Sequence, residues 1–485
     1  MKQLKKTISI FIIAIIFTSV LFAQNDTTQI IILHTNDMHA KIDNFDKLAY
    51  VVKTYKKKYD NVWLFSAGDL FTGNPIVDQC NNPGYPMIQF MNMIPYDISC
   101  IGNHEFDYGQ AKLNERIKQA KFPFISANIE TKSNTVLKQP IDYYKFTAKD
   151  GTTIGVLGLL QVGKNGYPDS SPLKMRNITF HNPFEYVKKY KSYKDSSDIF
   201  ICLSHLGYED DIKLAEEFPW FDIIVGAHSH TTLKKGVHKN QTFILQAGSY
   251  LKYCGVLTLK LINHKIINEK DSLINLYKQN NVPEIAKIIK EYNNNPVLNT
   301  VIGKAEKTLT GKDELGSMMT DAIRDTLQVD IAFQNNGGIR MHEIPKGDIL
   351  LKQVFELSPF GNTFVTYKMC PIQIKKLITY AYEIHNNNTL QVSGIQIKLI
   401  TKNDKLKKII LKDEKGNKLP LKKYTVAIND YMANAYSLKF LKKGKNTGLI
   451  DAKITTDFIK KHSPLNYKNV KRVFVEKKIN HNFLY

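Results

Sequence analysis

The chain has 485 residues, 43% of them hydrophobic, and a formal net charge of +22. This length predicts two domains, and the hydrophobic content excludes a largely disordered protein. The basic residues are spread along the chain without a zinc-knuckle or RNA-recognition signature. We therefore interpret the positive charge as a solvated surface and predict no stable nucleic acid partner.

The first 23 residues have the pattern of a signal peptide. Three lysines precede an apolar stretch from Ile8 to Phe22, and Ala23 provides a small residue at the cleavage point. The stretch is shorter than the roughly 20 residues that span a bilayer, and no later stretch is long enough. We predict an exported protein without a transmembrane span after cleavage. The periplasm is the first choice of location, and secretion or the cell surface are the alternatives.

Five cysteines are present, and none has the Cys-x-x-Cys spacing of a zinc site. Cys100 and Cys202 lie in apolar stretches, so we expect buried thiols there. A disulfide such as Cys80–Cys254 is compatible with an oxidising compartment.

Asp37 and His39 follow the first predicted strand, the apolar stretch 29–33. The two residues are two positions apart, so an extended backbone points both side chains the same way. This arrangement suits two ligands of one metal ion, although an ordinary polar turn has the same composition.

Two further strands end in the same way. After a predicted helix at 45–59, the apolar stretch 62–65 leads to Asp69, which a preceding glycine places at the strand mouth. Such a carboxylate can bridge two cations or cap a helix. The stretch 97–101 leads to Asn103, which offers a neutral oxygen ligand.

His104 and Asp107 lie three residues apart in the motif Gly-Asn-His-Glu-Phe-Asp. At a helix start, side chains with this spacing can face each other. A carboxylate bonded to one imidazole nitrogen fixes the tautomer and favours the protonated ring. The pair is therefore a candidate for acid catalysis.

Three histidines follow later strands. His205 comes after the stretch 199–203, and His228 and His230 follow 222–225 with the same spacing as Asp37 and His39. A single histidine is seldom a ligand. Their recurrence at strand ends makes a metal site the better interpretation.

Seven side chains thus provide oxygen or nitrogen donors: Asp37, His39, Asp69, Asn103, His205, His228 and His230. Seven ligands are too many for one tetrahedral zinc ion and suit two divalent cations with a bridging carboxylate. The absence of cysteine favours ions such as Zn²⁺ or Mn²⁺. Two such ions clamp phosphorus for in-line displacement by a bridging hydroxide. His104, outside this set, is free to stabilise the transition state or to protonate the leaving oxygen.

The C-terminal half begins after a predicted linker helix that starts near Pro283 and ends before Asn293. A glycine pair followed by Arg340 suits contact with an anion. Phe360 and Tyr431 each lie on a turn or loop, where two rings could hold a purine or pyrimidine between them. Each ring alone also fits an ordinary core position.

The order of these motifs resembles the calcineurin-like metallophosphoesterases. The segments His-Thr-Asn-Asp-Met-His and Gly-Ala-His-Ser-His are similar to the 5′-nucleotidase branch, which includes UDP-sugar hydrolases and ecto-5′-nucleotidases. The resemblance implies an α/β fold: a four-layer α-β-β-α sandwich plus a second mixed α/β domain. It implies a metallophosphoesterase domain at 24–280, a linker helix at 281–298 and a 5′-nucleotidase C-terminal domain at 299–485.

The resemblance also implies roles for single residues. The seven residues above would be the metal ligands, and His104 with Asp107 the catalytic dyad. Asn335 and Arg340 would contact the nucleotide, and Phe360 and Tyr431 would clamp its base. These contacts would lie between the domains, so that domain closure brings them over the metals.

Two segments depart from the family pattern. Asn-Ala-Tyr-Ser at 434–437 stands where relatives have Asn-Gly-Gly-Asp, so the acid that binds ribose is missing. Lys312 stands near the position of a family arginine, and it offers a point charge in place of a bidentate fork.

We predict an exported dinuclear phosphohydrolase that removes phosphate from nucleotides. Within the same chemistry, the alternatives are hydrolysis of 2′,3′-cyclic nucleotides, UDP-sugars or dinucleotides. A nuclease and a catalytically silent exported binding protein are the alternatives from other classes.

Overall fold

The structure is a computed structural model that describes residues 27–436 and 438–478. The predicted signal peptide, 1–23, lies outside the described residues. Among the described residues, no helix has the length and apolar character needed to cross a membrane.

Domain one, from Thr27 to Lys278, contains the strands β1 Thr27–Thr35, β2 Asn61–Ser66, β3 Ile98–Cys100, β4 Phe124–Ile125, β5 Ile129–Thr131, β6 Tyr143–Thr147, β7 Thr153–Leu160, β8 Ile178–Phe180, β9 Ile199–His205, β10 Ile223–Val225, β11 Val237–Lys239, β12 Thr242–Leu245, β13 Tyr253–Ile262, β14 Lys265–Lys270 and β15 Leu273–Asn275. Its α-helices are Phe45–Lys58, Pro75–Asp78, Tyr85–Met93, Gln110–Gln119, Pro183–Tyr186, Lys191–Asp195 and Tyr208–Glu217. Short 3₁₀ turns lie at His104–Phe106, Pro172–Lys174, Val187–Tyr190 and Leu276–Lys278.

Two mixed sheets form the centre of domain one. One has the order β14-β13-β1-β2-β3-β4, with β15 paired to β13, and the other has the order β11-β12-β10-β9-β7-β6. β1 to β4 run parallel, as do β7, β9, β10 and β12. Fully buried parallel strands need apolar side chains on both faces, which explains the continuous apolar stretches in the sequence.

The two sheets pack face to face, with helices on both outer faces. Ile30 and Ile32 of β1 share a buried cluster with Val156 and Ile201 of the opposite sheet. A second cluster joins the other face of β1 to the helix Phe45–Lys58, and a third covers the outer face of β9 with the helix Tyr208–Glu217. The predicted four-layer α-β-β-α sandwich is confirmed.

The predicted linker helix runs from Pro283 to Asn293. Its buried residues Ile285 and Ile289 belong to the same apolar cluster as the helix Phe45–Lys58. The linker therefore packs onto domain one.

Domain two, from Val301 onward, contains the strands β16 Val301–Ala305, β17 Leu309–Thr310, β18 Ile331–Asn335, β19 Glu343–Ile344, β20 Gly347–Leu350, β21 Thr363–Met369, β22 Leu390–Ser393, β23 Gln396–Lys402, β24 Lys405–Lys412, β25 Tyr424–Asn429, β26 Lys445–Ile450 and β27 Val473–Lys478. Its α-helices are Gly311–Leu327, Leu351–Leu357, Pro371–His385, Asp430–Ala435 and Asp451–His462, and a 3₁₀ turn lies at Asn336–Gly338. The main sheet has the order β22-β18-β25-β21-β26, and a second sheet has the order β24-β23-β27.

The long helix of domain two begins at Gly311. The Glu314 carboxylate accepts a hydrogen bond from the Thr310 N–H at 2.6 Å. This contact satisfies one of the backbone donors that a helix start leaves unpaired, and so supports the helix start at Gly311.

All five cysteines lie in the described part of the chain, and none forms a disulfide. Cys100 and Cys202 are buried, as predicted, and Cys254 is buried as well. The Cys80–Cys254 disulfide that we considered is absent.

Arg472 ties β27 to the long helix Gly311–Leu327. Its guanidinium donates to both carboxylate oxygens of Asp321, at 2.7 and 2.8 Å. Ser393 and Tyr467 donate to the same carboxylate. The pair is largely shielded, with 21% and 23% of the two side chains exposed, so the contact is stronger than a surface ion pair.

Replacing Arg472 with Met is expected to lower the free energy of unfolding of domain two by about 2–3 kcal/mol, because it leaves a shielded carboxylate without its counter-charge. Chemical denaturation followed by circular dichroism measures this change. The matched control is Lys453→Met, which breaks an exposed pair with Asp457 and should cost less than about 0.5 kcal/mol. Equal losses in both variants would contradict the prediction.

Candidate metal centre and active site

The predicted ligands lie at or just beyond the carboxyl ends of the parallel strands β1, β2 and β3 of one sheet and the parallel strands β9 and β10 of the other. Gly68 and Gly102 allow the loops after β2 and β3 to approach closely. A Cβ atom on Gly102 would lie 2.3 Å from Asp69 Oδ1, and one on Gly68 would lie 2.8 Å from the Gly102 nitrogen. Only glycine permits this contact.

One group of ligand atoms consists of Asp37, His39 and His230, whose donor atoms lie within 4.8 Å of one another. The Nε2 atoms of His39 and His230 are 2.9 Å apart, and His230 Nε2 is 3.7 Å from Asp37 Oδ1. Asp37 and His39 are fully buried. The structure thus places these three predicted ligands together.

A second group consists of Asp69, His205 and His228, joined by Asn103. Asn103 Oδ1 lies 3.2 Å from His205 Nε2 and 2.9 Å from His228 Nδ1. Asp69 Oδ2 lies 3.2 Å from His205 Nε2 and 3.9 Å from His39 Nε2, between the two groups. Asp69 is therefore placed where a bridging carboxylate would be needed.

The imidazole tautomers also fit a metal centre. His39 Nδ1 lies 3.1 Å from the Thr72 carbonyl oxygen, and His205 Nδ1 lies 2.8 Å from that of Ala67. A carbonyl only accepts, so both Nδ1 atoms carry the proton. In the neutral ring, Nε2 then carries a free lone pair, which points at the other predicted ligands.

Five of the seven predicted ligands have left-handed backbones. The φ angles are 48° at Asp37, 48° at His39, 53° at Asp69, 69° at His228 and 56° at His230. Such angles are uncommon for residues other than glycine and store strain that the surrounding structure must hold. Their concentration at one site is typical of a functional centre.

These donors fit divalent cations. Ligand atoms about 2.1 Å from one ion and roughly at right angles lie about 3 Å apart, close to the shortest distances within each group. The nitrogen and carboxylate donors suit ions such as Zn²⁺ or Mn²⁺. Each of the two groups can hold one ion, with Asp69 shared.

Burial and neighbouring charges set the protonation of the donors. Burial lowers the pKa of His39, His228 and His230, that of His230 to about 3. These rings are therefore neutral and can ligate a metal at neutral pH. Burial acts to raise the pKa of Asp69, but His205 and His104 hold it well below its usual range. Asp69 therefore stays charged.

Asp37 and His205 have the opposite shifts. Burial raises the pKa of Asp37 to about 7. Burial acts to lower the pKa of His205, yet Asp69 raises it to about 10. A bound cation would displace the proton that His205 holds and would favour the charged form of Asp37.

The structure places His104 beside Asp107. His104 Nδ1 lies 2.6 Å from Asp107 Oδ2, and Ser170 Oγ donates to Asp107 Oδ1 at 2.8 Å. Burial acts to lower the pKa of His104, but Asp107 raises it above its usual value. The Nε2 atom faces Asp69 Oδ2 at 3.9 Å. The ring therefore directs its second nitrogen toward the ligand groups.

Glu105 lies in the same motif as His104, and no role was predicted for it. Its buried carboxylate accepts the N–H groups of Asp69 at 3.0 Å, Leu70 at 2.6 Å and Gly102 at 2.5 Å. It thus ties the loop of Asp69 to the loop of Asn103. Asn36 has a similar position, since its amide donates to Asp37 Oδ2 at 2.6 Å. The available signal was a polar residue within two positions of a predicted ligand.

The four predicted nucleotide contacts of domain two share one cavity with the dyad. The cavity, about 830 Å³, lies between the domains and is lined by Asn335, Arg340, Phe360 and Tyr431 together with Asp69, Asn103, His104, Asp107, His228 and His230. Asp37, His39 and His205 lie behind this surface, fully buried.

Arg340 and Phe360 reach across to domain one. The Phe360 ring stacks on His104, with centroids 5.4 Å apart and planes at 9°. The Arg340 guanidinium lies 5.7 Å from the Phe360 centroid, and one of its nitrogens is 3.5 Å from His39 Nε2. The predicted anion contact and one predicted base contact therefore lie directly against the dyad and the ligands.

The structure locates residues of both segments that depart from the family pattern, Tyr436 and Lys312. Tyr436 lines the cavity, and its ring lies 6.4 Å from that of Tyr431. Lys312 donates a hydrogen bond to the Ile339 carbonyl. It is not one of the described residues that line the cavity. Lys312 thus contacts the backbone next to Arg340.

Two family profiles match the chain. Residues 30–232 match the calcineurin-like phosphoesterase, and residues 298–441 match the 5′-nucleotidase C-terminal domain. The chain is 28% identical to the protein UshA of Escherichia coli, over 93% of this chain and 94% of UshA. It is 27% identical to the trifunctional nucleotide phosphoesterase YfkN of Bacillus subtilis, over 92% of this chain but 35% of YfkN.

The fold is similar to that of solved proteins. A 5′-nucleotidase precursor from Thermus thermophilus superposes with a TM-score of 0.81 at 24% identity, covering 92% of this chain and 99% of that one. The chain therefore belongs to the 5′-nucleotidase family of metallophosphoesterases, in which a calcineurin-like phosphoesterase domain precedes a 5′-nucleotidase C-terminal domain.

Proposed function

We propose that this protein is an exported, dinuclear metal-dependent hydrolase that removes phosphate from nucleotides, as a 5′-nucleotidase does. One observation carries the proposal: two groups of metal-type donors, a His–Asp dyad and the predicted nucleotide contacts converge on a single cavity between the domains. A relative named as a trifunctional nucleotide phosphoesterase supports the same substrate class.

The proposed ligands are Asp37, His39 and His230 for one ion and Asn103, His205 and His228 for the other, with Asp69 shared. When bound, the ions supply positive charge at the phosphate and activate the attacking water. Arg340 lies within reach of this charge cluster, and its planar guanidinium suits the phosphate oxygens.

In this mechanism His104 assists the departure of the leaving oxygen. Asp107 accepts a hydrogen bond from the Nδ1–H group and keeps the ring protonated, so that Nε2 carries a proton it can donate to the leaving oxygen. Ser170 holds the second oxygen of Asp107 and thereby orients the dyad. Phe360 and Tyr431 would hold the base in the same cavity by stacking.

Export is the remaining part of the proposal. It rests on the signal-peptide pattern of residues 1–23, and the full-length match to UshA is compatible with it.

A substrate panel tests the activity. Protein reconstituted with Zn²⁺ or Mn²⁺ is expected to release phosphate from AMP and UMP with kcat/KM at least about tenfold above p-nitrophenyl phosphate, since only nucleotides engage domain two. The panel includes UDP-glucose and 2′,3′-cyclic AMP to detect diester or pyrophosphate hydrolysis. Equal rates on all esters would contradict a nucleoside-binding role of domain two. No hydrolysis with any ion would overturn the enzyme assignment.

A further inference from the structure

Lys174 lies at the junction of the two domains and is half-buried. It ends the 3₁₀ turn Pro172–Lys174 of domain one. Its ammonium donates to the backbone carbonyl of Asp107 and also lies 3.5 Å from the carbonyl of Phe360. One side chain thus contacts both the dyad segment and the Phe360 turn.

The surrounding segment makes further contacts with domain two. The turn Pro172–Lys174 packs against the helix Asp430–Ala435, which carries Tyr431. Nearby, the Asn165 amide donates to the Ala435 carbonyl at 3.3 Å. Both segments with a proposed base-contacting ring therefore rest on this part of domain one.

The charge of Lys174 also acts on two carboxyl groups of domain two. Burial raises the pKa of Asp430 and of Asp451, both in domain two, and Lys174 is among the groups whose charge opposes this rise. Lys174 is thus a cation of domain one set against carboxyl groups of domain two.

Lys174 acts on the dyad only through its charge and through the main chain. Burial acts to raise the pKa of Asp107, and the charges of His104 and, more weakly, Lys174 lower it. The Asp107 carboxylate is held by His104 and Ser170, whereas Lys174 contacts only the Asp107 main chain. Removing the ammonium therefore leaves the hydrogen bonds of the His104–Asp107 pair in place and removes one contact that holds the Phe360 turn.

We propose that Lys174 is a positioning residue that docks the Phe360 turn and the Tyr431 helix onto the dyad segment, and so keeps a bound nucleoside in register with His104. The proposal rests on the proposed function, because it assigns the substrate whose binding Lys174 supports. Its effect should appear with substrates that have a nucleoside and not with substrates that lack one.

The test compares Lys174→Met with Lys174→Arg. The Met variant is expected to raise KM for AMP about tenfold, the size of one lost charge-assisted hydrogen bond. Its kcat/KM for p-nitrophenyl phosphate should change less than about twofold. The Arg variant, which keeps the donor, should recover most of the loss.

Two matched controls accompany the test. Lys121→Met removes an exposed lysine of domain one and should leave both substrates unaffected. Lys41→Met breaks a different ion pair between the domains, Lys41–Glu356 at 3.8 Å. If Lys41→Met matched Lys174→Met, general loosening of the interface would explain the effect and the proposal would fail.

Hydrogen–deuterium exchange gives a readout independent of activity. Amides of residues 358–363 should exchange faster in Lys174→Met than in the wild type or in Lys174→Arg. Unchanged exchange, or an equal loss of activity on both substrates, would overturn the proposal. If the wild type hydrolysed no nucleotide, the proposed function would fail, whereas the exchange comparison would still test the docking contact.

Discussion

Replacing His104 with Asn is expected to lower kcat for AMP about 10³-fold while the bound metal stays close to the wild-type level. The reason is the position of the ring. His104 Nδ1 is hydrogen-bonded to Asp107, and Nε2 is directed toward the ligand groups, 3.9 Å from Asp69 Oδ2. Asn can keep the hydrogen bond to Asp107, but it cannot deliver a proton to the leaving oxygen.

Two measurements on one preparation check this expectation. Steady-state kinetics give kcat, and elemental analysis gives metal per chain. A loss of metal in the His104→Asn protein would mean that His104 is a ligand. A kcat close to the wild-type value would mean that another group protonates the leaving oxygen.

Replacing Asp69 with Asn is expected to differ from the His104→Asn change, because it should lose bound metal as well as activity. Asp69 Oδ2 lies between the two ligand groups, and its neighbours hold the carboxyl in the charged form. An amide has no charge to share between two cations. We expect at least one of the two ions to be lost and kcat/KM to fall by about 10³-fold or more.

The control is Asp60→Asn, which neutralises an exposed carboxylate paired with Lys149 and should retain both metal and activity. Dialysis followed by elemental analysis at a fixed free-metal concentration separates weak binding from none. An Asp69→Asn protein with two ions per chain would exclude the bridging role. Together with His104→Asn, the experiment separates residues that hold metal from a residue that moves a proton.

Local sequence patterns were enough to place the ligand-bearing loops. Each ligand lies within a few residues of an apolar stretch, and such stretches became β1, β2, β3, β9 and β10. Parallel strands bring their carboxyl ends to one edge of a sheet, so short motifs that are distant in the chain can meet there. The dyad could also be predicted from a local pattern, because His104 and Asp107 are only three residues apart.

The contacts that join the domains were not accessible from the sequence. Lys174 reaches Phe360 across 186 residues, and Arg340 reaches His39 across 301. No local sequence spacing predicts either contact, because each one depends on how the two domains pack against each other. The stacking of Phe360 on His104 has the same origin and places a proposed base contact directly against the dyad.

The sequence by itself determined the strands that carry the ligands, the mixed α/β class and the donor types, because these depend on side-chain periodicity and on motifs a few residues long. Only the tertiary structure decided which donors group together, that Glu105 ties two ligand loops, and that Lys174 joins the dyad segment to domain two. The physical reason is the short distance over which these contacts act. Hydrogen bonds and ring contacts act over a few ångströms, and only the folded chain brings residues so far apart in sequence within that distance.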